Sequence, residues 1–287
     1  AASEADTFLQ TLESKYQKPA QTNNTEVRWW LAQGSHTDQT IKEEIKTLHD
    51  QGFTGVELCM LDDQTIDTEK YAYGSAEAVH DWKLAIKEAT KYDMSVGLTS
   101  GTHWKAANIP GLDPDTEAAG QQAVCSEEVV KAGATRNGAL NIFSVSEEVA
   151  ARINKSKKTL IGAYAYPIVT PGDTQKGTST VLDPNGKIDL TESVQADGTL
   201  TWTNANGKDY ALFGLWQCGT YQTCDPSQTT AYAINYFNRE GALKLEDYFE
   251  KNFFDDAELV KAVQDANGNV QLFMDSLEIN YGAGFTW

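Results

Sequence analysis

Positive charge is scarce in this sequence: 23 Lys and Arg stand against 41 Asp and Glu, a formal net charge of −18, with a pI near 4.5. That balance opposes sequence-independent attraction to phosphate backbones or anionic lipid, so neither nucleic acid nor a membrane is expected as a partner. Long apolar runs are missing too. None approaches the roughly 18 consecutive apolar residues of a membrane span, and no basic, apolar, small-residue leader is present. Ala1-Ala2-Ser3 suits the mature end left after a leader is cut, although an arbitrary boundary would look the same. The Cys-x-x-Cys and His-x-x-x-His spacings that mark structural zinc are absent, and zinc is not expected on that ground. No GxGxxG or GxxxxGK[ST] follows the first strand, which removes the usual reason to expect a nucleotide-binding sheet.

Cysteine is sparse, with four in 287 residues. Cys218 and Cys224 flank a polar, Gly-containing loop that can close into a small disulfide ring. Cys59 sits in an apolar run, where a buried free thiol is expected. The sequons Asn23-Asn24-Thr25 and Asn154-Lys155-Ser156 agree with secretion but carry little weight alone.

The hydrophobic periodicity points to alternating strands and helices. A first helix over residues 5–16 carries Phe8, Leu9, Leu12 and Tyr16 at helical spacing and is expected to pack on a domain surface. Val27 to Ala32 reads as a buried strand. Thr37 or Asp38 then caps a helix with Ile41, Ile45 and Leu48 on one face, and Gly52 ends it. Residues 55–61 form the next strand. Ser75 opens a helix carrying Val79, Trp82, Ile86 and Ala89, followed by a strand over 94–101. Short loops between such units require parallel strands joined by helical crossovers. From about Lys131 the pattern changes: Asp183-Pro184-Asn185-Gly186, Ala196-Asp197-Gly198 and Asn206-Gly207 are hairpin signals. Helices return over 239–249 and 255–263, and a strand over 270–278 ends in carboxylates.

These elements predict a (β/α)8 TIM-type barrel, incomplete as it stands, with an antiparallel β-hairpin insertion. The expected parts are a helix and linker (1–26), first βα units (27–154), a strand plus β insertion (155–216) and continuing units (217–287). Four or five core strands fall short of eight, so the rest of the barrel or a complementary chain is expected as a partner.

In such a barrel the strand carboxyl ends hold the active site. This selects Trp29 and Trp30 at the first strand, Glu57, Asp62 and Asp63 at the second, Ser100, His103 and Trp104 at the third, and Asp275, Glu278 and Tyr281 at the last. Glycosidic cleavage needs one carboxylic acid to protonate the leaving oxygen and a second carboxylate to activate water or attack. Glu278 and Glu57 are the candidates, because each stands in an otherwise apolar strand where an idle charge is costly. Glu57 can equally pair with Arg28. Adjacent strand residues face opposite ways, so only one of Trp29 and Trp30 can face a sugar. Asp62, Asp63 and Asp67 resemble an oxygen-rich cation site, although acidic loops are usually only solvated.

Four segments resemble glycoside hydrolase family 106, the α-L-rhamnosidases. They are Val27-Arg28-Trp29-Trp30 with the helix and strand up to Glu57, residues 97–104 ending in His103-Trp104, the hairpin stretch 187–202, and Tyr236 to Ala242 with Asp275-Ser276-Leu277-Glu278. Their order agrees from residue 27 onward. The resemblance implies a secreted, inverting hydrolase of terminal α-linked L-rhamnose on plant or microbial glycans, with calcium assisting. Thr102-His103 departs from the glycine and proline commoner at that loop. Another barrel glycosidase, or a carbohydrate-binding protein without turnover, is the alternative.

Overall fold

The computed structural model describes residues 3–20, 25–32, 36–61, 67–101, 107–223, 226–266, 270–273 and 284–286. In chain order the first elements are α1 (Glu4–Gln17), β1 (Glu26–Ala32), α2 (Asp38–Asp50), β2 (Gly55–Leu61), α3 (Thr68–Tyr71), α4 (Ala76–Thr90), β3 (Ser95–Thr99) and β4 (Asn108–Pro110). Next come β5 (Gln121–Val130), β6 (Thr135–Ala139), α5 (Glu147–Lys155), β7 (Lys158–Thr170), β8 (Val181–Leu182), β9 (Ile188–Asp189), β10 (Thr199–Thr203) and β11 (Tyr210–Gly219). The last are β12 (Ala231–Ala233), α6 (Arg239–Asn252), α7 (Ala257–Asp265), β13 (Val270–Phe273) and β14 (Gly284–Thr286). They fall into two compact units. One comprises Ala1–Leu112, Thr223–Ile234 and Leu243–Glu278, and the other Asp113–Gln222, Asn235–Ala242 and Ile279–Trp287.

The first unit is built on a four-stranded sheet of order β1-β2-β3-β13, in which every pairing is parallel. Its helices form where the sequence supplies both cap and stripe. The Thr37 side chain accepts from the Thr40 amide at the start of α2, and Ile41 and Ile45 are buried. Gly52, at φ +91°, turns the chain out of α2 in a conformation that costs other residues a Cβ clash. Ser75 caps α4, whose Trp82, Ala85, Ile86 and Ala89 are buried. These stripes cover Val56, Leu58, Met60, Val96 and Leu98, the alternate residues of β2 and β3, as period-two side-chain placement requires. Helix α1 is capped locally by a Ser3–Asp6 capping box but buries no residue, so the expected packing of its apolar stripe is not found.

The second unit is antiparallel. Strands run in the order β14-β5-β11-β7-β8, with β9 also on β7, and a separate pair joins β10 to β6. Leu212, Trp216, Val124, Ala163 and Ala165 pack against Leu140, Leu200, Val149 and Ile153. The turn signals fall between strands as expected. Asp183 accepts from the Asn185 amide at 2.9 Å, Asp197 from the Thr199 amide at 3.0 Å, and Gly198 takes φ +80°.

The predicted (β/α)8 barrel is therefore corrected. The described residues form one four-stranded parallel sheet and a distinct antiparallel unit, with no closed eight-stranded barrel among them. The antiparallel region also starts well before residue 155, at β5. Its Gln121 and Gln122 are buried, so the strand lacks the apolar alternation that announces one.

Candidate active site

The parallel sheet has two chemically different faces. Odd residues of β1 and even residues of β2 and β3 meet the helices; Trp29 belongs to this side and its Nε1 donates to Glu44 at 2.9 Å. The opposite face carries Arg28 and Trp30 on β1, Glu57 and Cys59 on β2, and Gly97 and Thr99 on β3. The strand register places Arg28 beside Glu57 and Glu57 beside Gly97.

Arg28 grips Glu57 with two nitrogens, Nε at 2.8 Å from one carboxylate oxygen and Nη2 at 3.4 Å from the other. This forked geometry fixes the carboxylate more firmly than a point charge would. The two side chains remain 36% and 20% exposed, so water screens the pair in part. The Arg28 guanidinium also lies 5.6 Å from the centre of the Phe273 ring. β1 and β13 are the outer strands of a four-strand order, about 14 Å apart if the sheet were flat. The long Arg28 side chain therefore reaches across β2 and β3 toward the ring on the far edge strand. Gly97 lies between the two: a Cβ there would sit at ordinary contact distance, 3.6 Å from the Glu57 Cγ and 3.7 Å from the Phe273 Cβ.

The sequence-selected residues divide into three groups. Glu57 and Trp30 share the face turned away from the helices, with Trp30 49% exposed. Glu57 is the third of seven residues in β2, below the strand's carboxyl end. Ser100 is fully buried and its hydroxyl oxygen accepts from the Ala107 amide at 2.9 Å, so it pins the return of a loop. His103, Trp104, Asp275, Glu278 and Tyr281 lie outside the described residues, as do Asp62, Asp63 and Cys224.

Cys218 is a buried free thiol, which withdraws the expected disulfide with Cys224. Burial pushes its thiol up from the ordinary value, and Ser156, Lys158 and Gln122 oppose that less strongly; the protonated thiol is unreactive. Cys59 is a buried thiol outside any disulfide, as its apolar setting predicts.

Calcium fits nothing among the described residues. Asp67 is occupied in capping α3, accepting from the Glu69 and Lys70 amides. Among the described residues the one set of three His, Cys, Asp or Glu groups close enough to share an ion is Asp38, His80 and Asp81, and an imidazole is a poor ligand for a cation that takes oxygen. Sequence spacing missed this set because its members come from two helix starts. The signal was there as two short His and Asp pairings, His36-Thr37-Asp38 and His80-Asp81.

No protein-family model matches the chain, and no curated protein does. Among solved structures, a rhamnosidase from Novosphingobium sp. PP1Y is similar in fold, with a TM-score of 0.61 at 14% identity. The match covers 95% of this chain and 40% of that one. This chain thus spans less than half the length of the protein it resembles.

Proposed function

We propose that the chain belongs to a glycoside hydrolase that removes terminal α-L-rhamnosyl residues. The observation that carries this reading is the fold likeness to a rhamnosidase over 95% of the chain, joined to the family 106 resemblance of its motifs. A sheet face bearing a partly exposed charge pair and exposed Trp30 supports it, because sugars are recognised by an aromatic plate beside polar groups.

In this reading Glu278 is the catalytic carboxyl, exchanging a proton with the glycosidic oxygen or with water. Glu57, forked to Arg28, is a positioning carboxylate that fixes the charge of that sheet face. Trp30 offers its ring to the pyranose. Calcium and an extracellular setting come with the resemblance, and no step here depends on either. A specific observation favours a second reading: one of the two candidate carboxylates is already committed to an arginine, which suits a protein that binds rhamnose without cleaving it.

The test combines hydrolysis of aryl α-L-rhamnosides with calorimetric binding of rhamnose, for the native chain and Glu278→Gln. The expected result is hydrolysis that falls about 10²–10⁴-fold in the variant while rhamnose affinity is kept. Binding without hydrolysis in the native chain establishes the second reading. Neither binding nor hydrolysis overturns both.

A further inference from the structure

Two histidine–aspartate contacts meet where α2 and α4 begin. His80 Nε2 lies 2.9 Å from Asp38 Oδ1, and His36 Nε2 lies 2.6 Å from Asp81 Oδ2. One ligand atom each from Asp38, His80 and Asp81 falls within 4.8 Å of the others. In so acidic a chain, paired carboxylates arise easily; histidine does not, and two of its four histidines are here.

The burial is graded. Asp81 and His36 side chains are only 6% and 8% exposed, whereas those of His80 and Asp38 are 50% and 54% exposed. A hydrated ion can therefore reach the open half and be held against the closed half. Mixed imidazole and carboxylate donors suit a divalent first-row transition metal rather than calcium. Zinc to nitrogen or oxygen distances near 2.0–2.2 Å put neighbouring donors roughly 3.4 Å apart, so small rotations of the two exposed side chains close the set. Partial positive charge at the helix starts works against a cation; two carboxylates outweigh it.

We propose that Asp38, His80 and Asp81 bind a divalent transition metal, with Zn²⁺ as the reference ion, and that His36 is a positioning residue for the Asp81 carboxylate. The metal takes the imidazole lone pair of neutral His80, and any proton on that nitrogen leaves to solvent. No redox change is involved. The bound ion clips the start of α2 to α4, replacing the His80–Asp38 hydrogen bond with coordination. A partner group that donates its other hydrogen-bonding atom to a metal ligand commonly matters tenfold or more to affinity, which is the part His36 plays.

The experiment is calorimetric titration of the whole chain, stripped with chelator, with ZnCl2 and separately with CaCl2, alongside melting curves. Wild-type chain is expected to bind one Zn²⁺ with micromolar or tighter affinity and a raised Tm. His80→Ala and Asp38→Ala, both at exposed positions, are expected to weaken Zn²⁺ at least about tenfold and to remove the Tm rise, with metal-free Tm and far-UV circular dichroism unchanged. His49→Ala, at the exposed contact with Asp50, leaves binding as it was. Absence of Zn²⁺ binding, binding that survives both site variants, or an equal response to CaCl2 overturns the proposal and leaves a hydrogen-bonded clasp between two helices.

Discussion

The two units treat charge in opposite ways. In the antiparallel unit, Arg136 is only 10% exposed and is fully spent on its own fold: it pairs with Glu128 and donates to the carbonyls of Gly138 at 2.8 Å, Ala139 at 3.0 Å and Leu200. In the parallel unit, Arg28 holds one carboxylate, lies against one ring and stays 36% exposed. An arginine buried among backbone carbonyls stabilises the structure around it, whereas one more than a third exposed gives its ion pair less weight in stability. The difference marks two separately packed regions, one holding its arginine among backbone carbonyls and the other against a carboxylate and a ring.

The sharpest test of that division removes core mass from each unit. Trp82, 1% exposed with Phe253 and Tyr73 rings at 5.8 Å and 6.2 Å, is expected to cost about 3–5 kcal/mol as Trp82→Ala. Fully buried Leu212 is expected to cost about 2–5 kcal/mol as Leu212→Ala. Hydrogen exchange read by segment should speed up in β2 and β3 for the first and in β5 and β7 for the second. If either variant loosens both sets equally, the two-region description fails.

A smaller effect is expected from the arginines. Arg136→Met removes a donor from the Gly138, Ala139 and Leu200 carbonyls and leaves a Glu128 carboxylate that is 41% exposed, and denaturant unfolding should register a loss of about 2 kcal/mol. Arg28→Met breaks a solvated pair, worth about 1 kcal/mol or less. Equal losses would erase the contrast. If the parallel unit binds sugar, Arg28→Met should weaken rhamnose affinity more than it weakens stability, while Arg136→Met should do the reverse.

Much of the parallel unit was legible in the sequence because its signals are local. Thr37 and Ser75 each precede a stripe at helical spacing, Gly52 stands where a helix must turn out, and β2 and β3 are apolar runs. Strand alternation also separates Trp29 from Trp30. What local pattern cannot carry is register and closure. Arg28 was legible as a possible partner for Glu57, but the register that delivers it, β1 and β2 parallel and aligned residue for residue, is not something spacing reveals. β5 escaped because Gln121 and Gln122 are buried through amide hydrogen bonds to the carbonyls of Thr116, Ala119 and Gly219, so its inner positions look like a surface. The cysteine pairing failed for a related reason: six residues of separation permits a ring, but Cys218 is tucked into a sheet among apolar neighbours. The acidic end of residues 274–283, on which the proposed chemistry turns, was read from pattern and resemblance alone.

The smallest expected effect concerns a charge at the edge of the parallel unit. Asp256 caps α7, accepting from the Glu258 and Leu259 amides at 3.0 Å each, and receives Lys87 Nζ from α4 at 2.9 Å. The Leu259 amide first, then Lys87, hold its carboxyl below the ordinary carboxylate value. A carboxyl lowered on folding stabilises the folded state above its unfolded pKa, and that contribution fades as pH falls through the folded value. Asn also caps helices well, so Asp256→Asn keeps the cap while removing the charge. At neutral pH the wild-type chain should be more stable by some tenths of a kcal/mol, the ordinary worth of a solvated ion pair. The gap should narrow as the pH falls below the ordinary carboxylate value and close only below the lowered folded value, where Asp256 is neutral like Asn. A gap that stays constant would mean that α4 and α7 are joined by packing alone, and the parallel unit would then owe its stability to the apolar face of its helices with no help from the charges at their ends.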